Sequence, residues 1–119
     1  MPSKEDHLNR AQDNERLAGS LDLNSAINVD WAITILFYAA LHYVDAYLAI
    51  KPIHPPSHEY RDNEIQTNGS LSTIYGDYRR LKDKSVAARY QVANFHRSQF
   101  PQIKARFDKI KSHVLSKLR

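Results

Sequence analysis

"DWAITILFYAALHYVDAYLAI", residues 30–50, is the stretch on which the fold turns. It has the length and much of the apolarity of a membrane span. His42 and Asp45 interrupt it, however, and ionisable groups cost roughly 3 kcal/mol or more each in hydrocarbon. No basic cluster flanks it in the way membrane topology favours. The remaining solution for a helix apolar over most of its circumference is burial by several neighbours. At 100° per residue, Asp30, Thr34, Asp45, Tyr38 and His42 fall at about 0, 40, 60, 80 and 120°, while Ile33, Phe37, Ala40, Tyr43, Val44, Tyr47 and Leu48 occupy the other sides. The sequence therefore predicts a central helix with one polar stripe, placed in a bundle core or a dimer interface and not in a membrane. His42 and Asp45, at i and i+3, are expected to interact or to share one polar groove with Tyr38.

Outward from this helix the chain reads as helices separated by breakers. A first helix is expected from a Ser3 N-cap to about Ala18, with Leu8, Ala11, Glu15 and Ala18 on one side. "GSLDLNS" ends it, and Asn24 or Ser25 can cap the long helix, which Pro52 stops after Lys51. Ser57 can cap a short helix through "HEYRDNEIQT", closed by Asn68 and Gly69. Ser70 opens a fourth, in which Leu71, Ile74, Tyr75, Tyr78 and Leu81 form a core stripe. "LKDKS" reads as a possible bend, with "VAARYQV" continuing helically and "NFHRSQFP" as a turn. Pro101 suits the first position of a last helix in which Ile103, Phe107, Ile110, Val114 and Leu118 recur every three or four residues. No alternating pattern suggests a strand. The expectation is an all-α, antiparallel up-and-down bundle of four main helices plus one short one, forming a single domain over residues 1–119.

The composition agrees: 119 residues, 42% hydrophobic and 25% charged, suffice for one core. Without cysteine there is no disulfide framework, thiolate metal site or cysteine nucleophile, and a reducing compartment is fitting. The polar N-terminus lacks the order of a signal peptide, so the expected location is cytoplasmic. Charge is lopsided. Residues 97–119 carry seven lysines and arginines against Asp108 alone, +6, whereas residues 1–30 carry three basic against six acidic groups, −3. Lys104, Lys109 and Lys111, flanking the apolar line of the last helix, are candidate contacts to a polyanion. A second constellation is "HPPSHEYR", where His58 and Arg61 at i and i+3 can hold an anion, with His54 near by and Tyr60 offering an aromatic face. His54 and His58 lack a third ligand at diagnostic spacing, so neither a metal nor a cofactor is expected.

"DWAITILFYAALHYVDAYLA", "HPPSHEYRDN" and "IYGDYRRLKDKSVAARY" together resemble, over roughly residues 25–115, small bacterial proteins of the HEPN superfamily, named for its higher-eukaryote and prokaryote nucleotide-binding members. The resemblance implies a dimerising helical bundle. It also implies RNA as a partner and, in many members, metal-independent endoribonuclease activity in toxin-antitoxin or defence systems. Some members are accompanied by a nucleotidyltransferase antitoxin, and many others have lost the active site. The family signature, an arginine followed after four to six residues by a histidine, matches Arg89 and His96 across "YQVANF", with Tyr90 where a polar residue commonly stands. In that role His96 would move the 2′-hydroxyl proton or protonate the leaving oxygen, and Arg89 would stabilise charge on the phosphate. Arg106 and His113 match the same spacing. The alternative function is a non-catalytic dimerisation or partner-binding module, distinguished by whether Arg89 and His96 share one cleft or sit in separate contacts.

Overall fold

Two helices of this chain, those after Ser3 and Ser57, start where the serine side chain satisfies a free amide of the first turn, whereas Ser25 precedes the long helix without a side-chain cap bond. In the computed structural model, which describes residues 1–91 and 94–118, Ser3 accepts the Asp6 N–H while the Asp6 carboxylate accepts the Ser3 N–H. This reciprocal box opens α1 (Lys4–Ser20). α2 (Ala26–Ile50) follows after a short turn tied by the Asn28 side-chain amide donating to the Asp22 carbonyl. Ser57 caps α3 (His58–Thr67) by accepting the Tyr60 N–H. One 3-10 turn, Ser72–Ile74, leads into α4 (Tyr75–Tyr90), and another, Arg97–Gln99, into α5 (Phe100–Lys117) with Pro101 in its first turn. Among the described residues there is no strand.

Three boundaries differ from the sequence expectation, each for a local reason. α1 runs on past Ala18 to Ser20, whose hydroxyl donates back to the Leu17 carbonyl. α4 begins at Tyr75 and not at Ser70, because the Asn68 carbonyl accepts the N–H groups of Leu71 and Ser72 and closes a separate turn first. "LKDKS" does not bend. Leu81 and Ser85 are fully buried, the Ser85 hydroxyl bonds the Lys82 carbonyl, and the helix continues to Tyr90. The expected continuation through Val92 lies outside the described residues, as does Arg119 at the end of the basic segment.

α2 is the central element, packed by α1, α4 and α5, while α4 packs on α5 and α3 on α4. Asn24 and Asp30 at the start of α2 bond to Arg97 and Phe95 just before α5, and Tyr43 near its end packs on Phe107. α2 and α5 thus run the same way, with α1 and α4 opposed, giving the up-and-down bundle. Ile103, Phe107, Ile110 and Val114 are all buried, as their spacing requires, and Leu118 is half-buried just past the end of α5. Full burial of a side chain such as Phe107 contributes about 2–3 kcal/mol. α2 is long and apolar enough to cross a membrane, yet 72% of its most apolar window is buried within the protein. Its large faces are covered by the chain's own helices, so the apolar surface by itself does not require a second copy. Ile27 and Trp31 are the large apolar residues that α2 leaves open near its start, with Ile50 at its end.

Candidate functional site

The polar stripe of α2 divides into two regions. Toward the C-terminal end of α2, Asp45 is 6% exposed and Arg61 of α3 8%. Arg61 donates from Nε and Nη2 to the two Asp45 oxygens at 2.7 and 3.0 Å, a bidentate pair inside the protein. Burial works against the guanidinium charge, but the Asp45 hydrogen bonds and charge outweigh it and raise its pKa. The remaining arm of Arg61 meets His58 Nδ1 at 3.4 Å, and the His58 ring lies on Phe37. Burial, followed by the charges of Arg61 and Lys82, lowers the pKa of His58. Next along α3, Asp62 accepts from Lys82 at 2.5 Å and from Arg79 at 3.3 Å, which fastens α3 to α4. Tyr78, fully buried beside these groups, is held neutral chiefly by desolvation.

The expected contact between His42 and Asp45 is replaced. Asp45 gives both oxygens to Arg61, while His42 Nδ1 faces His7 Nδ1 of α1 at 3.1 Å. A contact of two ring nitrogens needs at least one neutral imidazole, and burial lowers the pKa of both rings, with the neighbouring imidazole a further lowering influence on His42. Tyr38 belongs to a different partner, Arg89. His54 lines a shallow depression of about 300 Å³ with His7, Asp45 and Pro55. Among the described residues no three His, Asp or Glu side chains converge as a metal site.

The second region is one end of the bundle, where the start of α2, the end of α4 and the approach to α5 meet. Arg89 donates to the Tyr38 hydroxyl at 2.6 Å, and its guanidinium lies 5.6 Å from the Tyr38 ring centre and 5.4 Å from that of Tyr90. It walls a depression of about 380 Å³ with Asp30, Trp31, Thr34 and Tyr90. Gln91 connects this to a groove of about 560 Å³ whose charged lining is Arg80, Lys84 and Arg106 with one carboxylate, Asp83. Phe95 connects the groove to a third depression holding His96 and Arg97. Arg89 and His96 therefore stand at the same end but line different depressions. The His96 ring caps the following turn: Nδ1 accepts the Ser98 N–H at 3.1 Å, so the neutral ring carries its proton on Nε2. The other match, Arg106 and His113, is held in structural bonds to Asp77 and the Ser70 carbonyl.

The three lysines of α5 do not form a common free face. Lys109 is exposed, Lys104 pairs with Asp108 at 2.6 Å, and Lys111 pairs with Glu15 of α1 at 2.8 Å while lying over the Tyr43 ring. The Tyr43 hydroxyl donates to the same Glu15, so this group ties α1 to the core. Further exposed cations, Arg80, Lys84 and Arg97, stand on α4 and before α5. Arg97 belongs to the basic segment that the sequence singles out, but sequence reasoning missed Arg80 and Lys84, and missed Trp31, Tyr90 and His7. His7 was detectable as the residue one turn before Ala11 on the inward side of α1. Comparison with family models, curated proteins and solved structures gives no match.

Proposed function

We propose that this chain is a HEPN-like, cytoplasmic RNA-associated protein that takes single-stranded RNA at the end of the bundle formed by α2, α4 and α5. The observation that carries the reading is the convergence there of Arg80, Lys84, Arg89, Arg97 and Arg106 around adjoining depressions, with Trp31 54% and Tyr90 77% exposed beside them. Guanidinium groups match phosphate oxygens, and exposed aromatic planes stack on unpaired bases. The test is retention of a single-stranded RNA at low salt by wild type and by the double variant Arg80→Glu, Lys84→Glu. Wild-type binding that disappears in the variant, with the helical signal unchanged, supports the reading; absence of wild-type binding overturns it.

A second reading is metal-independent cleavage: Arg89 and His96 stand at this same end, but they line different depressions and are tied into separate contacts, which favours the non-catalytic binding module over it. Its chemistry requires His96 to release the Ser98 N–H so that the ring can turn or take a second proton. Cleavage in a chelator, abolished by Arg89→Ala and by His96→Ala, would establish it. RNA retention without cleavage identifies a binding module. A homodimer and a nucleotidyltransferase-type antitoxin partner belong to the same proposal through the family resemblance.

A further inference from the structure

Asp30 has a role that the packing does not exhaust. Its carboxylate is buried, 8% exposed, yet it lines the depression between Trp31 and Tyr90. Oδ1 accepts the Phe95 N–H at 2.9 Å, and Asp30 makes no salt bridge among the described residues. Thr34, also buried, gives its hydroxyl to the Asp30 carbonyl and leaves the carboxylate without a local donor from that side. Two buried residues, Asp30 and Thr34, and two exposed aromatic residues, Trp31 and Tyr90, thus line one depression. The volume, about 380 Å³, lies within the range of small-ligand sites.

An ionised carboxylate only accepts hydrogen bonds, so the edge of any base seated on it has to donate. Uracil presents one N–H flanked by two carbonyls, which would face the carboxylate with like polarity. Adenine and cytosine each present an amino group beside a ring-nitrogen lone pair. Guanine alone of the four presents two adjacent donors, N1–H and N2–H₂, and Asp30 retains Oδ2 and a lone pair of Oδ1 to receive them. The planes of Trp31 and Tyr90 suit stacking, and Arg89 at the wall suits the attached phosphate.

We propose that the depression between Trp31 and Tyr90 is a guanine subsite, in which Asp30 reads the base, the aromatic rings stack on it and Arg89 holds the phosphate. This rests on the RNA reading above and names the base that the same surface selects.

Trp31 is the chain's one tryptophan, so its fluorescence reports from the pocket itself. GMP, AMP, CMP and UMP are titrated separately at fixed low ionic strength. GMP is expected to quench Trp31 at a concentration roughly tenfold below the others, the discrimination expected of charge-assisted hydrogen bonds to one base edge. Asp30→Asn keeps an oxygen for the Phe95 N–H but replaces an acceptor by a donor, and it should bring the four nucleotides within about twofold of one another. Tyr90→Ala, at an exposed position that leaves the core intact, should weaken GMP. Equal quenching by all four, no quenching, or a folded Asp30→Asn that keeps the guanine preference overturns the subsite. If Asp30→Asn does not fold, the wild-type selectivity and Tyr90→Ala decide. RNA retention without nucleotide selectivity removes the subsite and leaves the RNA reading, whereas GMP binding without RNA retention keeps the pocket and removes the RNA reading.

Discussion

Replacing Asp45 by Asn leaves the Arg61 guanidinium buried, 8% exposed, without its counter-charge. The pair consists of two charge-assisted bonds, of 2.7 and 3.0 Å. Such bonds contribute about 1.5–3 kcal/mol each, and breaking a buried pair from one side costs about 3–5 kcal/mol. Asn can still accept one of the two bonds, which places the expected loss near the lower bound, about 3 kcal/mol. A domain of this size has a stability of about 5–15 kcal/mol, so the variant remains folded at room temperature with a melting temperature lower by roughly 10 °C. Urea unfolding followed by circular dichroism measures the loss. Arg61→Met should cost a similar amount by stranding the carboxylate, and the double variant Asp45→Leu, Arg61→Met should cost less than the two singles added, because both desolvated charges then disappear. Because the pair is shielded from solvent, 1 M salt should change the coupling little. Single variants within 0.5 kcal/mol of wild type, or strictly additive losses, would refute the account of α3 being fixed to α2 by this pair.

The facing His7 and His42 rings have pKa values lowered on folding, so the unfolded chain binds more protons as pH falls below about 6.5. Stability should be full above that pH and decline as pH drops through the lowered folded values, and His42→Gln should flatten the decline in a melting series from pH 7.5 to 5. Phe107→Ala empties a fully buried site against Tyr43 and should cost about 3–5 kcal/mol in the same urea assay. Lys111→Ala removes a half-buried bond to Glu15 and should cost about 1 kcal/mol or less, visible as faster amide exchange in α1 before any change in global stability. In the RNA assay, taking away one phosphate-binding cation with Arg80→Ala or Lys84→Ala should reduce the log-log salt slope by roughly 0.7, while Lys111→Ala should leave it unchanged.

The helices were legible because their signals are local. The apolar run of α2, Pro52, Ser57 and the spacing from Ile103 to Val114 each act within a few residues, and the structure places a helix, a stop, a cap and a buried face where they stand. Pairing across helices was not legible in the same way. Asp45 lies at i+3 from His42, but Arg61 offers two donors in a planar fork, and a carboxylate inside a protein is better satisfied by that geometry than by an imidazole. Lys111 looked like a free cation because Glu15 is 96 residues away in the chain. The cationic end went unseen for a related reason. Arg80 and Lys84 on α4 and Arg106 on α5 stand singly in the sequence, and only the antiparallel return of α4 on α5 brings them round one groove, with Arg97 at the adjoining depression.

The α2 stripe thus serves two ends of one helix differently, and the contrast follows from which neighbour covers it. At Asp45 the stripe meets α3, whose Arg61 engages both oxygens in a bidentate pair, so this carboxylate is committed to holding α3 on α2. At Asp30 and Tyr38 it meets the end of α4 and the chain leading to α5, where the covering residues are Arg89, Tyr90 and Gln91 and the partner groups are one backbone amide and one guanidinium. A carboxylate with spare acceptors, an arginine held between two phenol rings and an exposed indole then share one depression. Helix α3 is too short to reach that end, and its ten residues stop where α4 has still to begin. Among the described residues no further helix covers Ile27, Trp31 and the polar side of α2 beside them, so this side stays accessible at the bundle end. That is why the functional reading rests there and not on the more densely bonded cluster around Arg61.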